Sequence, residues 1–162
     1  MSVVADILES WRRPSWVLHR HLSRGRSEPF AFTFLVVFLI VAFIAQWPDA
    51  ARVSALNPEI PIAAQLLPRA LALLATIPVW YLLAALGRLV ASALGGQGGW
   101  YEARLALFWT LVTISPMILM VGLVAGMIGA GAQLTILGAV TFAVFLLFWV
   151  INLRATGDSD AT

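Results

Sequence analysis

Uncharged apolar stretches alternate with short polar ones along this chain. Phe30 to Trp47 (FAFTFLVVFLIVAFIAQW) carries no charge; Glu28 and Pro29 precede it, Pro48 and Asp49 follow. Its length approaches the ~20 residues with which a helix crosses the hydrocarbon core. Trp47 sits where an interfacial aromatic anchors a span. Ala70 to Gly87 is a second such run, bracketed by Arg69 and Arg88. Pro78 inside it predicts a kink, because a membrane helix tolerates proline where neighbours satisfy the freed carbonyl. Leu105 to Leu153 is uncharged throughout. As one helix it would measure about 73 Å, over twice the bilayer core, so it must fold back. The small-residue patch at 122–133 (GLVAGMIGAGAQ) is the natural turn. The pattern predicts four spans, near 30–47, 70–87, 105–124 and 134–151, with Pro116 bending the third.

The connections read differently. Residues 48–69 hold Pro48, Pro58, Pro61 and Pro68, a density that favours turns and extended backbone, with room for a short interfacial helix around Ile62–Leu67. Gly95, Gly96, Gly98 and Gly99 make a flexible loop. At the start, Val4, Ile7, Leu8 and Trp11 recur at helical spacing opposite Asp6, Glu9 and Ser10, and Pro14 ends that turn. Trp16, Val17 and Leu18 then mix with His19, Arg20 and His21. This predicts a helix lying in the headgroup plane, apolar face down, with Arg12, Arg13 and their neighbours at lipid phosphates. Such an arm either senses lipid or a partner, or only sets topology. The first apolar run is longer than the core of a signal peptide and has too long a segment ahead of it, so it reads as a retained anchor. The expected fold class is all-α: a polytopic helical membrane protein of four transmembrane helices plus an N-terminal interfacial amphipathic helix. Its parts are a cytoplasmic or interfacial segment (1–28), a membrane domain (29–153) and a short tail (154–162).

Composition sharpens this. Of the 162 residues, 61% are hydrophobic and 11% charged, against roughly 25% charged in a soluble domain; mean hydropathy is +0.92. That excludes an ordinary soluble enzyme, a disordered tail and a secreted disulfide scaffold. Cysteine is absent, so thiolate chemistry is excluded. All ten bases are arginine, and the net charge of +2 calls for no nucleic-acid partner. Eight of the ten arginines fall in the N-terminal segment, the second connection and the tail. Four spans put these on one side, which positive charge marks as cytoplasmic. The expected location is a bacterial inner membrane, crossed several times, with both termini inside.

Candidate chemistry is sparse. The apolar runs hold no ionisable group of the kind that marks proton- or ion-coupled carriers. Their hydroxyls (Thr33, Thr76, Thr110, Thr113, Ser115, Thr135 and Thr141) can bond to their own helix or a neighbour. No nucleophile triad, HExxH pair or phosphate-binding glycine loop occurs. The expectation is therefore no catalysis, no cofactor and no metal; His19 and His21, two apart, point to different helix faces. Arg88, Glu102 and Arg104 flank the glycine-rich loop. If the helix ends converge, Glu102 bridges the two arginines, as a gate, a docking patch or a plain surface ion cluster. Gly122, Gly126 and Ala130 form a small-residue stripe that permits close helix approach. It serves packing within one chain, a homo-oligomer, or the turn itself.

The stretch GGQGGWYEARLALFWTLVTISPMILMVGLVAGMIGAG, residues 95–131, resembles the central part of bacterial Yip1-domain proteins. The resemblance rests on Gly98, Trp100, Tyr101, Arg104, Phe108, Ser115 and Pro116: a glycine-rich loop, an aromatic or basic helix start and a Ser-Pro step in the following span. The opening ILESWRRPSWVLHRHL is similar to the Arg-Pro start of short members. The resemblance implies a polytopic membrane protein with a cytoplasmic N-terminus. Eukaryotic relatives bind small GTPases of the Rab class in vesicle trafficking; the bacterial ones have no settled role. This chain lacks their long acidic N-terminal region and counts four spans where five are usual. The expected function is a non-enzymatic protein that organises lipid or a membrane protein partner. The alternatives are a small channel or carrier, and an accessory subunit of a larger membrane complex.

Overall fold

In a computed structural model, which describes residues 3–157, all regular structure is helical: α1 (Val3–Ser10), α2 (Pro14–Leu22), α3 (Glu28–Ala45), α4 (Trp47–Leu56), α5 (Ile62–Ala75), α6 (Ile77–Ala93), α7 (Trp100–Thr113), α8 (Ser115–Met127) and α9 (Ala132–Ala155). Three segments are long and apolar enough to cross a membrane: Glu28–Leu56 (α3 with α4), Ile62–Ala93 (α5 with α6) and Ala132–Ala155 (α9). The α7–α8 pair, bent by 44°, makes a fourth when taken as one broken span.

Three breaks share one cause. Gln46, Thr76 and Ile114 separate the paired helices, and in each case a proline follows two residues later, in the first turn of the next helix: Pro48, Pro78 and Pro116. Proline cannot donate the hydrogen bond that would continue the preceding helix, and it suits a first turn, where that donor has no partner anyway. The kinks expected at Pro78 and Pro116 therefore occur one turn ahead of the ring. Pro48, read from sequence as ending the first span, instead opens α4. The segment around Ile62–Leu67 is no separate surface helix; it is the start of α5, which runs through Pro68.

Helix α7 is the centre of the molecule. From Leu105 to Thr113 every residue is buried, enclosed by α3, α6, α8, α9 and the N-terminal helices. Phe34, Leu35, Phe38, Tyr81 and Phe108 belong to this core or pack on it, with Trp109 wholly enclosed. The second span is the least covered of the three, and Leu71, Val79, Leu82, Leu86 and Leu89 lie on its outer face, as lipid-facing side chains should.

Polar residues gather in two layers. One holds Glu28, Arg88, Arg104 and Arg154, the other Asp49, Arg69 and the turn after α8. Along the first span Glu28 and Asp49 are separated by ~31 Å, and along the second Arg69 and Arg88 by ~28 Å, at 1.5 Å per residue; both match a hydrocarbon core of ~30 Å. At the second layer Arg69 pairs with Asp49 at 2.8 Å and donates to the Gln46 carbonyl, exposed by the break. Arg52 donates to Met127 O at the end of α8, where a cation meets the negative end of the helix dipole. The N-terminal helices, the loop after α6 and the end of α9 all meet at the first layer.

Candidate functional site

The N-terminal arm packs on α7 and α9. It is a helical hairpin, α1 and α2, with Arg12 and Arg13 in its turn. Helices α3 and α9 both pack on α7 and, among the described residues, make no close contact with each other. The arm fills the opening between them. Val17 and Leu18 of α2 are fully buried. On α1, Val4 and Leu8 face outward, Ile7 packs on the core, and Asp6 and Ser10, expected on the outer face, are buried. In lipid the outer surface can be apolar, and polar side chains seek partners inside the protein.

Those partners are specific. Asp6 takes a 2.6 Å hydrogen bond from Arg20, which also pairs with Glu9 at 3.1 Å. Trp109 Nε1 donates to Ser10 Oγ at 3.1 Å inside the protein. Trp11 Nε1 donates to Thr113 O at 3.1 Å, and its ring meets Phe148 edge-on. Thr113 O is available because the helix breaks there: Met117 N, its usual donor, bonds Ile114 O instead. His21 is enclosed by Phe30, Phe34 and Trp109, with its ring 4.5 Å from that of Trp109 and Nε2 3.7 Å from Asp6. Burial disfavours the imidazolium and lowers the His21 pKa to about 4; Asp6 raises it, while Arg24 and Arg20 lower it further.

The structure settles how the predicted residues are placed. Arg12 and Arg13 are exposed and, among the described residues, form no ion pair. Arg88, Glu102 and Arg104 do not form the expected bridge. Glu102 pairs with Arg26 at 2.9 Å, Arg104 pairs with Glu28, and Arg88 donates to Gly96 O at 3.3 Å. The segment just ahead of α3 supplies Arg26 and brings in Glu28, so each charge on α7 finds a nearer partner than its expected one. Ser115 is buried and bonds back to Leu111 O, and Pro116 opens α8. The other hydroxyls named from sequence also bond to carbonyls of their own helices or, for Thr135, to the residue before its first turn. Gly122 and Gly126 are used within the chain: a Cβ on Gly122 would overlap the Ala45 carbonyl, and one on Gly126 would overlap Pro48. Ala130 lies in the turn that follows Gly129, whose φ is +85°.

Sequence reading missed Asn152. It is wholly buried in α9 and donates to Thr110 Oγ1 at 2.9 Å, locking α9 to α7. The signal was there: an amide within an apolar run needs a partner inside the protein. Asp6, Ser10, Trp11 and Trp109 were also missed as anchors, since nothing local pairs them. His19 and His21 do separate, and among the described residues no group of three or more His, Asp or Glu is placed to hold a metal ion. No protein-family model matches the chain, and no curated protein or solved structure matches it.

Proposed function

We propose that this is a non-enzymatic, Yip1-like protein of a bacterial inner membrane, with four spans and both termini cytoplasmic, that organises lipid or a membrane protein partner. The observation that carries the reading is the filled centre. Helix α7 is enclosed from Leu105 to Thr113, and one of the two polar layers brings together the glycine-rich loop, the start of α3 and the end of α9. That is the form of a docking platform. Arg26, Arg88, Arg104 and Arg154 lie at this edge, which supports a cytoplasmic side. The likeness at residues 95–131 supports the family reading: Gly98 and Tyr101 are buried, and the Ser115-Pro116 step makes the bend.

Capture of the full-length protein in mild detergent, followed by mass spectrometry, tests it. A stoichiometric partner, an oligomer or a retained lipid class is expected. A bare monomer with no lipid preference overturns it. The carrier alternative draws on the broken α7–α8 span, since broken helices line many transport sites. Here the carbonyl exposed by the break is taken by Trp11, which argues for a structural joint. Solute flux into proteoliposomes would reinstate the carrier. Native co-purification with a larger assembly would mark an accessory subunit.

A further inference from the structure

The structure contains a cavity of about 930 Å³ at the arginine-rich edge, between the end of α6 and the end of α9. Arg88 and Arg154 both line it, and no carboxylate does among the described residues. Its remaining walls include Val90 of α6, Leu94 just past its end, and Val150 and Leu153 of α9. Leu94 is 83% exposed, and Val90 and Val150 are also open to the surroundings. Two guanidinium groups thus sit at headgroup depth above an apolar surface that faces the acyl region.

We propose that this cavity binds the phosphodiester headgroup of an anionic glycerophospholipid, with the acyl chains lying along Val90, Leu94 and Val150. Guanidinium groups suit phosphate because their paired donors match its oxygens, and basic pockets between helices on the cytoplasmic side recognise such headgroups. Among the described residues, Arg154 forms no ion pair, and Arg88 makes one hydrogen bond, at 3.3 Å to Gly96 O. Among the described residues, no carboxylate therefore neutralises either charge within the cavity. The loop adds donors: Gln97 and Gly98 line the same space, and among the described residues their amides donate to no backbone carbonyl. A helix C-terminus ordinarily repels an anion. That of α6 is closed off, because Leu94, Gly95 and Gly96 turn their amides back onto Val90, Ala91 and Ser92 carbonyls, with Gly95 at φ +88° making the reversal. The apolar rim selects a lipid over a free phosphate ion, which gains nothing from it.

The assignment rests on the lipid half of the proposed function and narrows it to one headgroup charge class. The test titrates purified full-length protein in detergent with phosphatidylglycerol, phosphatidylcholine or inorganic phosphate, read by native mass spectrometry and thermal stability. Phosphatidylglycerol should be retained in preference to phosphatidylcholine. Arg88→Gln and Arg154→Gln should each lower that retention about fivefold, since one basic group near a headgroup contributes about that factor. Arg52→Gln, at the opposite layer, should leave it unchanged. Arg154 is exposed at the end of α9, so Arg154→Gln decides the matter if Arg88→Gln does not fold. Equal retention of the two lipids, or unchanged retention in Arg154→Gln, overturns the proposal. Stabilisation by inorganic phosphate equal to that by phosphatidylglycerol overturns the lipid and marks a phosphate site. A protein that captures a partner yet shows no headgroup preference loses this cavity assignment alone. One that stays dissolved without detergent loses the membrane reading as well.

Discussion

Trp11 Nε1 and Thr113 O, 3.1 Å apart, join the turn of the N-terminal hairpin to the joint at which the third apolar run bends. A proline two residues past Ile114 opens that joint, and an indole from the far end of the sequence fills it. Thr113 lies ~13 Å along α7 from Arg104, so the contact ties the hairpin turn to the far end of α7.

Removing that donor should loosen the arm. Trp11→Phe keeps the ring contact with Phe148 and deprives Thr113 O of its partner, a loss of about 1–2 kcal/mol. The exposed Arg12–Arg13 bond reports it, because cleavage there follows the undocked population when docking is rapid. Trypsin treatment of the detergent-solubilised variant should cut about tenfold faster than in the parent; equal rates would mean that the bond does not hold the arm.

Acid should undock the arm through His21. The docked imidazole stays neutral down to a pKa of about 4, whereas a free arm takes up a proton near 6.5. The undocked state therefore binds more protons between these values. Docking is complete above about pH 6.5, weakens as pH falls and levels off near pH 4, a total of about 3 kcal/mol. Asp6 opposes the effect; Arg20 and Arg24 reinforce it. Hydrogen exchange over residues 3–22 should rise across this window, and His21→Phe, which suits the aromatic surroundings, should flatten the profile.

The glycines of α8 predict a size limit. Gly122→Leu and Gly126→Leu each force backbone of the first span away from α8, costing about 1–3 kcal/mol or more. Gly138→Ala, where a Cβ meets nothing within 4 Å, should be neutral or mildly stabilising. Thermal unfolding in detergent ranks the three; a Gly122→Leu midpoint equal to that of the parent would refute the close approach.

Charge pairing at the arginine-rich edge is testable by double-mutant cycles. Arg26 and Glu102 should couple, although weakly, by less than about 1 kcal/mol, since Arg26 is largely exposed. Arg88 and Glu102 should show no coupling. Thermal shifts of Arg26→Gln, Arg88→Gln, Glu102→Gln and the two double variants give both values, and a larger Arg88–Glu102 term would restore the pairing expected from sequence.

The apolar runs alone pointed to an all-helical chain with three or four helices long and apolar enough to cross a membrane, because a bilayer demands length and apolarity that are local properties of the chain. The sites of bending were legible in Pro78 and Pro116, where a missing amide is a local fact. Tertiary structure decided the rest. The first apolar helix runs on past Pro48 as α4, which packs beside α8; Glu102 turns to Arg26 because the arm's return brings that side chain near; α1 buries Asp6 and Ser10 because Arg20 of α2 and Trp109 of α7 offer them partners. Each of these is a choice among partners remote in sequence, settled only when the helices assemble around α7. The periodicity of a helix states which residues share a face, but in lipid, where both surroundings are apolar, it does not state which face turns inward.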